Sequence, residues 1–122
     1  MLSVTADVGK SSILRRFMDT GFKNVIPPTT TPEFVSQTVS ISDLPIKLEI
    51  WDTSGSETYM SITRNYYRNC AGAFLVYDIT NATSFANMVR WYQEVQSNSN
   101  HENLTFVLIG NKSDLAVKYD CV

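Results

Sequence analysis

Three short polar boxes carry the chemistry that this chain could perform: Val8-Gly9-Lys10-Ser11-Ser12, Asp52-Thr53-Ser54-Gly55 and Asn111-Lys112-Ser113-Asp114. The first places a glycine, a lysine and two hydroxyls at the start of a helical stretch. Backbone amides at a helix start face an anion, and the helix dipole favours it. Lys10 is suited to bridge the β- and γ-phosphates of a nucleotide, and Ser11 to ligate magnesium. Asp52 follows a β-rich run, where a carboxylate can hold magnesium through water, and the Gly55 amide can face a γ-phosphate oxygen. Asp114 can accept two hydrogen bonds from the N1–H and exocyclic amine of guanine. Adenine lacks that donor pair, so an unpaired Asp114 would penalise it. Singly, each box also has a plainer reading: a helix cap for the first, a plain turn for the second and, less readily, a polar turn after a strand for the third. Together and in this order they describe a pocket for a guanine nucleotide with magnesium.

The elements that must position these boxes are legible in the apolar spacing. Ile13, Leu14, Phe17 and Met18 predict a helix over about residues 10–19, with Gly21 as its stop. The run from Thr20 to Thr31, punctuated by Pro27-Pro28, reads as a loop. Phe34 to Ile41 and Ile46 to Trp51 read as a hairpin joined by Ser42-Asp43-Leu44-Pro45. Tyr59 to Asn69 reads as a helix. Ala73 to Ile79 and Leu104 to Ile109 are apolar runs expected of buried parallel strands. Between them Phe85, Met88, Val89, Tyr92 and Val95 mark a further amphipathic helix. Strands alternating with helices, each strand ending in a polar box, predict an α/β open sheet with ligands at the strand carboxyl ends.

A chain of 122 residues suggests one domain, and 43% hydrophobic content with 18% charged is globular rather than disordered. The formal net charge of −2 is too mild to argue for nucleic acid or a basic membrane patch. No apolar run approaches the ~20 residues of a membrane span, and the first residues do not read as a signal peptide. Cys70 and Cys121 make no disulfide framework, so a reduced, cytoplasmic setting is expected. The N-x-S/T triplets at Asn81, Asn103 and Asn111 then read as chance, and His101 as part of a polar surface loop.

Beyond the boxes, the chain carries Lys47-Leu48-Glu49-Ile50-Trp51-Asp52-Thr53, Ser61-Ile62-Thr63-Arg64-Asn65-Tyr66-Tyr67-Arg68 and Leu75-Val76-Tyr77-Asp78-Ile79-Thr80. With these it resembles the Ras superfamily and, within it, the Rab branch, over nearly its whole length. The resemblance implies a P-loop NTPase-like, mostly parallel open sheet flanked by helices. It implies GTP or GDP with Mg2+ as ligands, GTP hydrolysis, and a role as a switch in membrane traffic. By position, Val8, Gly9, Lys10, Ser11, Ser12, Gly55, Asn111, Lys112 and Asp114 would hold the nucleotide. Phe22 would pack on the guanine. Thr29 would join Ser11 and Asp52 at the metal. Phe34, Trp51 and Tyr66 look like the aromatic triad that Rabs present to effectors. The switch loops would span Phe22–Phe34 and Gly55–Tyr67.

The sequence also departs from the family. Ser56 stands where the family has the glutamine that orients the attacking water, so slow hydrolysis is expected, with Lys10, Gly55 and a degenerate Ser56 as the catalytic set. Val4 stands at the first glycine of G-x-x-x-x-G-K-[ST], and Asp7 adds a negative charge to the loop. Only three residues precede Val4, which leaves the first strand short. The family's last strand, base-covering loop and last helix have no counterpart after Asp114, so the fold is expected to be incomplete. Cys121 fits no prenylation motif, and no direct membrane anchor is expected. Two other readings stand beside the switch: a nucleotide-poor module that competes for Rab partners, and a gene fragment without function.

Overall fold

Why these residues form a sheet with helices on its faces follows from where their apolar side chains can be buried. The computed structural model describes residues 2–3, 6–19, 27, 29–55 and 60–117. In chain order they form β1 (Leu2–Ser3), α1 (Lys10–Phe17), β2 (Glu33–Ile41), β3 (Leu44–Asp52), α2 (Met60–Tyr67), β4 (Gly72–Asp78), α3 (Ala82–Ala86), α4 (Met88–Asn98) and β5 (Thr105–Asn111). A 3-10 turn, Ser113–Leu115, follows β5. The strands lie in the order β2-β3-β1-β4-β5. All pairs are parallel except β2 with β3.

β1 is short but central: Leu2 pairs with Asp52 on one side and with Phe74 on the other. That placement fixes the carboxyl end of β3, and therefore Asp52, beside the loop that leads into α1. The β2–β3 hairpin turns through Ser42 and Asp43 alone, both left-handed with φ of 51° and 64°. This is the geometry of the tight type I′ turn, which matches strand twist. The connection is therefore shorter than the four residues read from sequence: Leu44 and Pro45 belong to β3, paired with Ile41 and Ser40.

Three apolar clusters hold the layers. Val8, Leu14 and Val76 join the first loop and α1 to the sheet; Leu75, Met88 and Trp91 seat α4; Tyr67, Ala73 and Val95 lie between α2, β4 and α4. Complete burial of a side chain such as Val95 contributes roughly 1.5–3 kcal/mol.

The structure corrects several expected boundaries. α1 ends at Phe17, and Asp19, left-handed at φ 54°, follows its cap; Gly21 lies outside the described residues. The single helix expected around residues 85–95 is divided at Asn87 into α3, whose first turn the Asn81 side chain caps at the Ser84 amide, and α4. The buried stripe of α4 is Met88, Trp91 and Val95, while Phe85, Val89 and Tyr92 are exposed. β5 is not a fully buried strand: it pairs only with β4 among the described residues, and Val107 and Leu108 remain exposed. The helix read over Tyr59 to Asn69 is observed as α2, with Tyr59 outside the described residues.

Candidate functional site

The three boxes meet at the carboxyl ends of β3, β4 and β5, beside the N-terminus of α1. Gly9 enters α1 at φ 94°, a left-handed conformation that L side chains rarely adopt, and its carbonyl accepts the first helical bond from the Ile13 amide at 3.0 Å. A Cβ at this position would lie 2.3 Å from Asn111 Nδ2. The backbone conformation thus favours glycine, and a Cβ here would displace the Asn111 amide from its bond to Val8.

Lys10 is the first residue of the helix and is almost fully buried. Burial pushes its pKa down to about 8, against the opposing pull of the Asp52 and Asp7 carboxylates. The ammonium is therefore mostly charged at neutral pH and weakly hydrated, the state in which it attracts an anion most strongly. Asp52 is 1% exposed. Burial raises its pKa, while the Ser11 hydrogen bond and the Lys10 charge hold it down. The Ser11 hydroxyl donates to Asp52 Oδ2 at 2.5 Å and lies 3.0 Å from Thr29 Oγ1. Asp52 Oδ1 is buried with no hydrogen-bond partner among the described residues. An orphaned carboxylate oxygen at such depth costs about 1–3 kcal/mol or more, unless something else pairs with it. A carboxylate and two hydroxyls from α1, β3 and the loop before β2 thus form one all-oxygen cluster. Gly55 follows on the same side of β3, half-buried, after the buried Thr53 and Ser54.

Asn111 ends β5, and its Nδ2 donates to the Val8 carbonyl at 2.8 Å. The third box is thereby tied to the first. Lys112 follows in the left-handed region, φ 65° and ψ 38°, and caps the 3-10 turn that carries the exposed Asp114. Its ammonium pairs with Asp78 Oδ2 at 2.7 Å. Burial works to raise the Asp78 pKa, but hydrogen bonds from Lys112 and Thr80 outweigh it and hold the carboxyl below its usual value.

Sequence reasoning missed that role of Asp78. The available signal was a carboxylate closing an otherwise apolar strand, next in space to the strand that carries the base box. It also missed the Arg64–Glu94 ion pair at 2.6 Å, which ties α2 to α4.

Beside the Tyr67, Ala73 and Val95 cluster, which Trp51 borders, Phe34 and Trp51 pack with ring centroids 4.9 Å apart, and Trp51 and Tyr66 at 4.3 Å. The three aromatics form one row of tilted ring contacts centred on Trp51, with Phe34 about half exposed. Ser12 is half-buried in the first turn of α1. Val4, Phe22, Ser56 and Cys121 lie outside the described residues.

A loop entering a helix through glycine, a buried lysine, a carboxylate at a parallel strand end and a carboxylate-bearing turn after a second strand are the parts of a nucleotide-binding switch. The family model for the Ras family matches residues 4–121, and the chain belongs to that family. It is a small GTPase-type switch, of the class that binds guanine nucleotides and hydrolyses GTP.

Proposed function

We propose that the protein is a Rab-type small GTPase: a P-loop NTPase-like domain that binds GTP and GDP with Mg2+, hydrolyses GTP slowly, and switches effector binding in membrane traffic from a cytoplasmic location. The observation that carries the nucleotide and metal reading is the convergence of Ser11, Thr29 and Asp52 beside Lys10, with one Asp52 oxygen left over. Magnesium takes hard oxygen donors and is commonly held by one or two carboxylates, substrate phosphates and waters. The residues present fit it. No cluster of three or more His, Cys, Asp or Glu occurs among the described residues, and this mode of binding needs none. Ser11 and Thr29 would supply hydroxyl oxygens and Asp52 its carboxylate. When bound, the ion neutralises charge that develops on the β- and γ-phosphate oxygens.

The chain's own residues would do the remainder. Lys10 stabilises the transferring phosphoryl group from a site that largely excludes water. The Gly55 amide faces the γ-phosphate. Val8, Gly9 and Ser12 line the phosphate side, Phe22 is assigned to the base by the resemblance alone, and Asn111 holds the loop in register with the base box. Asp114 selects guanine through paired hydrogen bonds. Ser56, whose hydroxyl stands on a shorter stem than a glutamine amide, is poorly suited to orient the attacking water. Hydrolysis is slow for that reason.

The Rab assignment is supported by the ring contacts of Trp51 with Phe34 and Tyr66, which link the hairpin to α2 and join the end of the first switch segment to the second. The same triad favours a second reading, a nucleotide-poor module that competes for Rab partners, because its ring contacts need no nucleotide. Purification in magnesium followed by release and quantitation of bound nucleotide separates the two. Near-stoichiometric guanine nucleotide is expected. A folded protein that neither carries nor takes up GDP would reject the switch.

A further inference from the structure

The Asp78–Lys112 pair belongs to no step described so far, yet its geometry is that of a built support. Asp78 closes β4, and its side chain is 10% exposed. One carboxylate oxygen, Oδ1, accepts the Thr80 amide at 2.9 Å and the Thr80 hydroxyl at 2.7 Å. These bonds fix the carboxylate on its own turn and aim Oδ2 across the sheet at Lys112 Nζ, 2.7 Å away. The backbone is fixed as well. The Asp78 amide donates to Ser84 Oγ at 3.0 Å, and the next amide, that of Ile79, donates to the Asn111 carbonyl at 3.1 Å.

Lys112 occupies a left-handed conformation that a non-glycine residue adopts only at a cost. Such a conformation persists where its surroundings over-determine it. The surroundings here are Asn111, bonded to Val8, on one side and Asp78 on the ammonium. The Lys112 carbonyl accepts the Leu115 amide at 2.9 Å and so closes the turn that presents Asp114.

We propose that Asp78 is a positioning residue for guanine recognition: it acts through Lys112 to hold the base-reading turn, and Asp114 with it, in the binding geometry. This rests on the nucleotide-binding reading above. Asp78 touches no ligand; it fixes the residue that shapes the turn.

The test is the dissociation rate of a fluorescent GDP from the full chain and from Asp78→Asn, Lys112→Met and the double variant, with ADP as competitor. Dissociation is followed on molecules that already hold nucleotide, so a reduced folded fraction does not enter. Asp78→Asn is expected to speed GDP release about tenfold, within the usual range of coupling between contacting residues. Its preference for GDP over ADP should fall by a similar factor. In the Lys112→Met background the same substitution should add less than about twofold, because its route of action is gone. A release rate unchanged in Asp78→Asn, or in Lys112→Met, overturns the proposal. So does a double variant whose rate is the product of the two single effects, the outcome for a merely structural Asp78. A parent protein that takes up no GDP overturns the nucleotide reading itself, whereas a parent that binds GDP beside an unaffected Asp78→Asn overturns this inference alone.

Discussion

Asn111 and Val8, 103 positions apart in the chain, are joined by a 2.8 Å hydrogen bond from the Asn111 side-chain amide to the Val8 carbonyl. The bond crosses from the end of β5 to the loop before α1, and Gly9 makes room for it. Replacement of Gly9 by alanine sets a methyl group against that amide and forces a left-handed residue with a Cβ. Gly9→Ala is expected to destabilise the protein by about 2 kcal/mol or more, as overpacking and strain together do. Adding Asn111→Ala should recover only the steric part. Urea titrations of the parent, both single variants and the pair would measure this, and full recovery would show that the backbone conformation is costless.

The oxygen cluster makes a second expectation. If Ser11, Thr29 and Asp52 hold magnesium, chelation should speed GDP release from the parent. Ser11→Ala and Asp52→Asn should release GDP fast with or without chelator. Stopped-flow dissociation with and without excess chelator checks this, and a Ser11→Ala protein that still responds fully to chelation would remove Ser11 from the metal.

Ser56→Gln restores the side chain that orients water in the family. Its single-turnover GTP hydrolysis should exceed that of the parent by about tenfold or more, the direction expected when a water-positioning group is supplied. Equal rates would mean that Ser56 is not what limits the reaction.

Asp78 also makes a pH prediction. Its folded-state pKa lies below the unfolded value, so the folded state favours the ionised form. The resulting stabilisation is fully present above the unfolded pKa of about 3.9 and is lost as pH falls through the folded value. Asp78→Asn should therefore be less stable than the parent at neutral pH, and the gap should narrow as pH drops below about 4. Thermal melts across pH 3 to 7 report it; a gap that widens on acidification would contradict the assigned direction.

On the proposed Rab-type reading, the aromatic triad should separate partner binding from nucleotide binding. Phe34→Ala removes a half-exposed ring whose described ring contact is with Trp51. It should cost the fold little, about 1 kcal/mol or less beyond lost burial, leave GDP release unchanged and abolish effector capture. Calorimetry and a binding assay on the same preparation distinguish these effects.

Much of the scaffold was legible because its signals are local. The Gly9-Lys10-Ser11 turn, the Ile13–Met18 spacing and the apolar run before Asp78 each bias a short segment, and each segment adopts the element it predicts. What misled was equally local. Phe85, Val89 and Tyr92 share a helical stripe with Met88 and Val95 on paper, yet only Met88 and Val95 are buried, while Phe85 and Tyr92 lay partly exposed rings against Tyr77 and Phe106 of the sheet. The apolar content of Leu104 to Ile109 predicts burial, but β5 ends the strand order.

By itself the sequence determined the family, the order of the three boxes and the residue types able to bind phosphate, magnesium and guanine, since these depend on side-chain chemistry and short spacing. Only the tertiary structure decided which of those groups meet. The parallel crossing of β3, β4 and β5 brings Ser11 to Asp52, Asn111 to Val8 and Lys112 to Asp78. None of these pairs is close in sequence. Burial at those meetings then shifts Lys10 to about 8 and Asp52 upward, because a desolvated charge depends on its neighbours in space rather than along the chain.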